Sequence, residues 1–295
     1  MPAARPFRIG IAIATAGRAE VVRETVDLLK AQGRAPDAVL VCSPGPEDVE
    51  GLHDACPGIA LVLGSRGLPR QRNRLLDAAG DLDLLLFLDD DFVMAPDYLA
   101  ETEAVFAARP DVVMTTGAVV ADGVLGAALS IEEAQRHLAR PPAPASSPVI
   151  AVYNGYGCNM AVRLETVRTH GLRFDEVLPL YAWLEDVDFS RRLAPHGSIV
   201  RVAAARGVHL GVKSARQPGM RLGYSQIANP CYLIAKGTCS WRKGVFHMSR
   251  NFAANVVGTL RGERAVDRRG RLSGNLRAVL DLLTQRLAPS RALRF

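Results

Sequence analysis

The chain has no apolar run of the roughly 18 or more residues needed to cross a bilayer as a helix, so no transmembrane helix is expected. Its five cysteines, Cys42, Cys56, Cys158, Cys231 and Cys239, are scattered. They form no CxxC pair and no Cys/His spacing of the kind that holds zinc or builds a disulfide framework. The N-terminal stretch has no secretory pattern, because Arg5, Arg8 and Arg18 flank a short strand-like segment. A reducing cytoplasm fits these absences best. No internal repeat is visible. Aromatic residues make up only 6% of the chain, and the basic C-terminal region lacks the interleaved aromatic platform that single-stranded nucleic acids stack on. That region is also poor in acid. Residues 211–295 hold 16 Lys/Arg against 3 Asp/Glu, a balance of +13, whereas residues 1–210 hold 20 against 27, a balance of −7. A basic segment on a mildly acidic body suits an anionic membrane face, a phosphorylated lipid or nucleic acid, or it is a set of solvated helix faces.

With 295 residues, 48% of them hydrophobic, the chain can bury a large core in one or two domains. Phe7–Thr15, Asp37–Cys42, Ile59–Leu63, Leu84–Asp89 and Asp111–Gly117 read as short apolar strands. Helical periodicity lies between them over Arg18–Ala31, Pro69–Ala79 and Tyr98–Ala108. Such alternation predicts an α/β fold with a doubly wound, mostly parallel sheet and helices on both faces. The Pro-rich stretch Arg140–Pro148 reads as an exposed loop or lid. Val149–Val162 carries strand-like pieces, Glu185–Leu193 a helix, Ser198–Val202 a late strand, and Val208–His209 the end of a shorter extended piece. Helices are expected at about 221–236, 244–260 and 273–287.

The segment Leu84–Asp91 (LLLFLDDD) reads as a buried strand that ends in three carboxylates. Adjacent negative charges cannot all be buried unpaired. A hard divalent cation shared with a substrate phosphate resolves the conflict, and open α/β sheets bind ligands at the carboxyl ends of their strands. An acidic turn capping the next helix is the plainer alternative. Alternate residues of an extended chain share a side, so Asp89 and Asp91 face one way and Asp90 the other.

In order along the chain, IAIATAGRAEVVRETVDLL, GLPRQRNRLLDAA, LLLFLDDDFVMAPDYL, GCNMAVR, FDEVLPLYAWLEDVDFSRRLAPHG and then His209 resemble a family 2 glycosyltransferase. These enzymes have the GT-A, or nucleotide-diphospho-sugar transferase, fold. The resemblance covers roughly residues 7–210. It implies a GT-A domain at 1–212, followed by a basic helical extension at 213–295. It further implies an inverting, metal-dependent transfer of sugar from a nucleotide sugar, with UDP the default, to a saccharide or lipid-linked saccharide. Exopolysaccharide or cell-envelope synthesis is the expected setting, at the cytoplasmic face of the membrane.

By the same resemblance Asp91, with Asp89 and His209, holds Mg²⁺ or Mn²⁺. Asp89 contacts the ribose or a metal-bound water, and Asp90 counts with the donor loop. The nucleotide side is expected to use Thr15, Gly17 and Arg18, whose helix-start amides suit an anion, together with Arg72 and Asn73. Gly157 and Asn159 belong to the donor-sugar wall, and Lys213 and Arg216 could reach the diphosphate. Asp186 is the expected base and Glu185 its companion; Glu185 and Trp183 contact the acceptor. At the second strand the family often has an aspartate for the base, whereas this chain has Cys42-Ser43-Pro44. Ser43 is left to contact the base, with one hydroxyl in place of a carboxylate. A nucleotidyltransferase of similar sheet architecture and a nucleic-acid-binding protein are the alternatives, although no nucleic acid is expected.

Overall fold

A computed structural model describes residues 5–124, 126–141, 148–214, 218–263 and 266–295. Among these residues the strands are β1 (Ile9–Ala14), β2 (Ala38–Ser43), β3 (Ala60–Leu63), β4 (Leu84–Asp89), β5 (Phe92–Met94), β6 (Val112–Asp122), β7 (Val149–Ala151), β8 (Asn159–Arg163) and β9 (Ser198–His209). The helices are α1 (Ala19–Leu28), α2 (Leu52–Ala55), α3 (Leu68–Ala78), α4 (Tyr98–Ala108), α5 (Ile131–Ala139), α6 (Leu164–Thr169), α7 (Glu185–Leu193), α8 (Gly219–Lys236), α9 (Trp241–Leu260) and α10 (Arg268–Leu283). The chain forms two compact units. One comprises Met1–Arg66, Arg70–Arg173 and Leu193–Ala215; the other comprises Gly67–Pro69, Phe174–Arg192 and Arg216–Phe295.

The first unit is one mixed, mostly parallel sheet in the order β3-β2-β1-β4-β8-β6-β9-β5, with β7 beside β9. β1 pairs in parallel with both β2 and β4, and β6 pairs in parallel with β9. β8 runs antiparallel between β4 and β6. Ile9, Ile11 and Ile13 stand opposite Leu84, Leu86 and Leu88 in register, and all six belong to one buried cluster. Each such fully buried side chain contributes about 1.5–3 kcal/mol. The intervening Leu85 and Phe87 are buried as well, which is how a strand covered on both faces reads. Two features differ from expectation. Residues 198–202 and 208–209 belong to the single strand β9, which absorbs register shifts against β6 at Gly117/Ala118 and Val119/Ala121. Helix α5 falls where the sequence looked irregular, and it is capped by Ser130, which accepts from Glu133 N while Glu133 bonds back to Ser130 N. Of the Arg140–Pro148 stretch, residues 142–147 lie outside the described residues.

The second unit contains α8, α9, α10 and all of α7 but its last residue, Leu193. α8 and α10 approach closely at glycines: a Cβ on Gly223 would strike the Arg271 carbonyl, and one on Gly274 the Met220 carbonyl. Between the helices lies a buried amide cluster. Asn255 Nδ2 donates to Gln226 Oε1 (2.9 Å) and Asn275 Oδ1 (2.8 Å), and Asn275 Nδ2 donates to Gly223 O (2.7 Å). No helix among the described residues is long and apolar enough to cross a membrane.

Candidate active site

Parallel pairing of β1 with β4 sets Ala14 beside Asp89, so the β1–α1 loop meets the three aspartates. Asp90 is buried. It accepts from Thr15 Oγ1 (2.7 Å) and Arg18 Nη1 (2.9 Å), and its carbonyl accepts from Thr25 Oγ1 (2.6 Å). Burial pushes its pKa up to about 6, with Arg18 opposing and Asp91 adding to the rise. Arg18 also reaches the carbonyls of Val212 and Ser214. Asp90 therefore anchors the loop, and its two neighbours are left facing the sheet edge.

Asp91 is held by the chain that leaves β9. Its Oδ2 accepts from Val212 N (2.8 Å) and its carbonyl from Leu210 N (2.9 Å). The β5/β9 and β6/β9 registers set His209 opposite both Phe92 and Asp122. His209 Nε2 lies 3.2 Å from Asp91 Oδ1 and 3.8 Å from Asp89 Oδ2, while Nδ1 lies 3.2 Å from Asp122 Oδ1. Burial alone would lower the histidine's pKa, but Asp122 and Asp91 raise it to about 10. Burial would likewise raise Asp91, yet His209 brings it below its ordinary value. The pocket thus stabilises positive charge strongly.

Ligand atoms of Asp89, Asp91 and His209 all lie within 4.8 Å of one another, the one such group among the described residues. Two carboxylates and an imidazole suit Mn²⁺, and Mg²⁺ through the oxygens. Asp122 was not foreseen. Its Oδ2 accepts from Tyr156 Oη (2.9 Å) and its Oδ1 from Val124 N (2.9 Å), which hold the carboxylate 3.2 Å from His209 Nδ1.

The remaining predicted donor residues differ in exposure. Arg72 is almost wholly buried and bonds Gly157 O (2.6 Å) and Asp89 Oδ1 (3.2 Å), with its guanidinium over the Phe87 ring. Asn73 is buried beside it on α3. Asn159 lies fully inside the sheet, accepting from Thr116 Oγ1 (2.6 Å). The Ser43 hydroxyl is buried and donates to Gly45 O (2.9 Å). Gly17 has positive φ, and its amide donates to Asp48 Oδ1. That amide is therefore engaged by a carboxylate instead of standing open to an anion. Asp48 also accepts from Gly45 N and is a second residue that sequence reasoning missed. Lys213 Nζ donates to Gly123 O and Val124 O; Arg216 is outside the described residues.

Glu185, Asp186 and Trp183 belong to the second unit. Leu180, Ala182 and Leu184 all have positive φ, at 55°, 51° and 73°, which is costly for residues with a Cβ. Glu185 N donates to Ala182 O as α7 begins, and Asp186 Oδ1 accepts from Val187 N (2.8 Å). The supports come from α8 and the turn after it. Asn229 Nδ2 donates to Trp183 O (2.9 Å). Lys236 donates to Asp188 and Thr238 donates to Asp188, while Tyr232 donates to Asp175 (2.8 Å). The Trp183 and His247 rings meet at right angles, with centroids 5.9 Å apart.

A model of the family described as glycosyltransferase like family 2 matches residues 6–209, and the chain belongs to this family. No curated protein matches it. Among solved structures it is similar to a mannosyltransferase from Pyrobaculum calidifontis in complex with GDP-Man and Mn²⁺, at 15% identity and a TM-score of 0.55, over 99% of this chain and 86% of that one. It is similar to GalNAc-T7 with UDP, GalNAc and Mn²⁺, at 15% identity and a TM-score of 0.51, over 72% of this chain and 45% of that one. It is also similar to residues 1–349 of S. aureus TarS, at 11% identity and a TM-score of 0.52, over 77% of this chain and 65% of that one. This chain thus spans less than half of the GalNAc-T7 chain. These likenesses show the GT-A fold. The chain thus carries a domain of the glycosyltransferase like family 2, with an Asp-Asp-His group suited to a metal.

Proposed function

We propose that this glycosyltransferase moves a sugar, with inversion, from a nucleoside-diphosphate donor to a hydroxyl of a saccharide or lipid-linked saccharide. The donor is UDP-linked by default, and the setting is exopolysaccharide or cell-envelope glycan synthesis at the cytoplasmic face of a membrane. The module at 1–212 carries the donor chemistry, and the extension at 213–295 makes peripheral contact with anionic lipid. The observation that carries the reading is the convergence of Asp89, Asp91 and His209 at the carboxyl end of β4.

Asp89, Asp91 and His209 would hold Mg²⁺ or Mn²⁺, which would supply positive charge against the departing diphosphate. Arg18 and Asp90 keep the donor loop seated against the strand end. Thr15, Gly17, Ser43, Arg72, Asn73, Gly157 and Asn159 shape the donor side. Asp186 takes the proton of the acceptor hydroxyl as its oxygen bonds the anomeric carbon. The bond from that carbon to the diphosphate oxygen breaks, and its electron pair leaves with the nucleoside diphosphate. Glu185 and Trp183 hold the acceptor, the indole against a sugar face.

A screen of UDP-, GDP- and dTDP-sugars with Mn²⁺ tests this by following release of nucleoside diphosphate. Release that stops on chelation, and in Asp91→Asn, is the expected result. Formation of pyrophosphate from a nucleoside triphosphate and a sugar 1-phosphate, supplied in a parallel assay, would identify a nucleotidyltransferase, and turnover that survives exhaustive chelation would remove the metal role.

A further inference from the structure

The two C-terminal helices of the second unit combine exposed aliphatic groups with charge of one sign. On α9 the buried positions include Gly244, Asn255 and Gly258; on α10 they include Gly274, Asn275 and Ala278. At 3.6 residues per turn, Phe246, Val257 and Leu260 fall within about 60° of one another on the far side of α9. Leu276, Leu280 and Leu283 do the same on α10, within about 60°. All six are exposed, Leu260 at 82% and Leu283 at 77%. Arg242, Arg250 and Arg261 are exposed along the first face or at its end, and Arg269 along the second, with Arg277 exposed at its flank beside Asp281. α9 has no carboxylate at all. α10 has only Asp281, which is buried and accepts from Arg291 Nε (2.7 Å). Exposed aliphatic clusters of this kind mark a binding surface.

We propose that the outward faces of α9 and α10 dock on an anionic phospholipid surface, with the leucines, valine and phenylalanine in the headgroup–acyl boundary and the arginines on lipid phosphates. The proposal rests on the glycosyltransfer reading and deepens it, since a lipid-linked acceptor would be met at that surface. Charge complementarity selects this occupant. A second copy seated symmetrically on the same face would set arginine against arginine. A nucleic acid would engage the arginines and leave the aliphatic groups in water. An anionic bilayer satisfies both groups: the aliphatic side chains lose water, and basic side chains contribute near a negative surface while their stems lie along the boundary.

The test is flotation of the full chain with phosphatidylglycerol or phosphatidylcholine vesicles at low and high salt. Three proteins are compared: wild type, Leu260→Ser with Leu283→Ser, and Arg261→Glu with Arg269→Glu. Wild type should float with phosphatidylglycerol, less at high salt, and not with phosphatidylcholine. Either double variant should bind at least about tenfold more weakly, with its unfolding midpoint and its release of nucleoside diphosphate unchanged. Wild type that fails to float with phosphatidylglycerol, or variants that float as well as it does, would overturn the proposal. So would a concentration-dependent dimer abolished by the leucine pair without flotation, or a salt-sensitive gel shift without flotation. If flotation behaves as expected but no sugar nucleotide is ever turned over, the glycosyltransfer reading fails and the lipid surface stands.

Discussion

The two compact units position their acids by opposite means. In the first, strand register does the work. Asp89 ends β4 beside Ala14, and His209 ends β9 between Phe92 and Asp122. The cluster sits on a sheet whose central strands are buried on both faces. In the second, Glu185 and Asp186 follow three left-handed residues within five positions, each costing about 1–3 kcal/mol. Their backbone is kept in place by polar bonds from Asn229, and by Lys236 and Thr238 through Asp188. A charge change in the first unit should therefore alter chemistry with little effect on the fold, whereas a support change in the second should disturb both.

The largest expected effect lies in the first unit. Asp91→Asn keeps the size of the side chain but removes a negative ligand. Turnover should fall about 10²–10³-fold, and calorimetric Mn²⁺ binding should be lost, while the unfolding midpoint holds. A large drop in that midpoint would break the contrast. Next in size is Asp122→Asn. An amide can turn its NH₂ toward His209 Nδ1, which puts the imidazole proton on Nε2, the nitrogen facing Asp91. Mn²⁺ affinity should weaken about 10–100-fold. Unchanged affinity would mean that Asp122 does not set the tautomer.

The third prediction turns to the second unit. Gly274→Ala places a methyl group against the Met220 carbonyl and Tyr224 N, where no flexible side chain can yield. Overpacking of this kind costs about 1–3 kcal/mol. The chain's two tryptophans, Trp183 and Trp241, both lie in the second unit, so their fluorescence reports its unfolding directly. The tryptophan-detected midpoint should fall. A midpoint equal to wild type would mean that α8 and α10 are less closely packed.

What could be read in advance follows the same division. β4 and its acids were legible because an apolar run and a charge block are local signals, and His209 was legible from its place after the acidic pair. Asp122 was not, because only the long-range parallel pairing of β6 with β9 brings it to the histidine. Asp48 was hidden in the same way, since it reaches Gly17 from 31 residues further along the chain. Helix α5 carried a readable start in Ser130 and Glu133, an S-x-x-E capping box, that the irregular composition around it obscured. In the second unit Leu180, Ala182 and Leu184 offer no sign of left-handed backbone, since glycine or asparagine normally marks it. Buried Asn255 and Asn275 look like surface positions until their partners are known.

The smallest expected effect is a pH dependence that separates the supports of the second unit from its packing. Burial would push Asp175 up, but hydrogen bonds from Lys236, Val177 N and Tyr232 bring its pKa below the ordinary value. A carboxyl group with a lower pKa in the folded than in the unfolded chain stabilises the fold fully above the unfolded value of about 3.9. That contribution fades as pH falls through the unfolded value toward the folded one. It should be under about 1 kcal/mol, because Lys236 is partly exposed and solvent screens the pair. Asp175→Asn should therefore lower the tryptophan-detected midpoint slightly near neutral pH, and its curve should begin to close on that of the wild type only below about pH 3.9, meeting it once pH passes the lower folded value. Gly274→Ala removes no proton-linked bond, so its curve should stay parallel to the wild type throughout. If both variants converge with wild type on acidification, the difference between polar support and helix packing in this unit disappears.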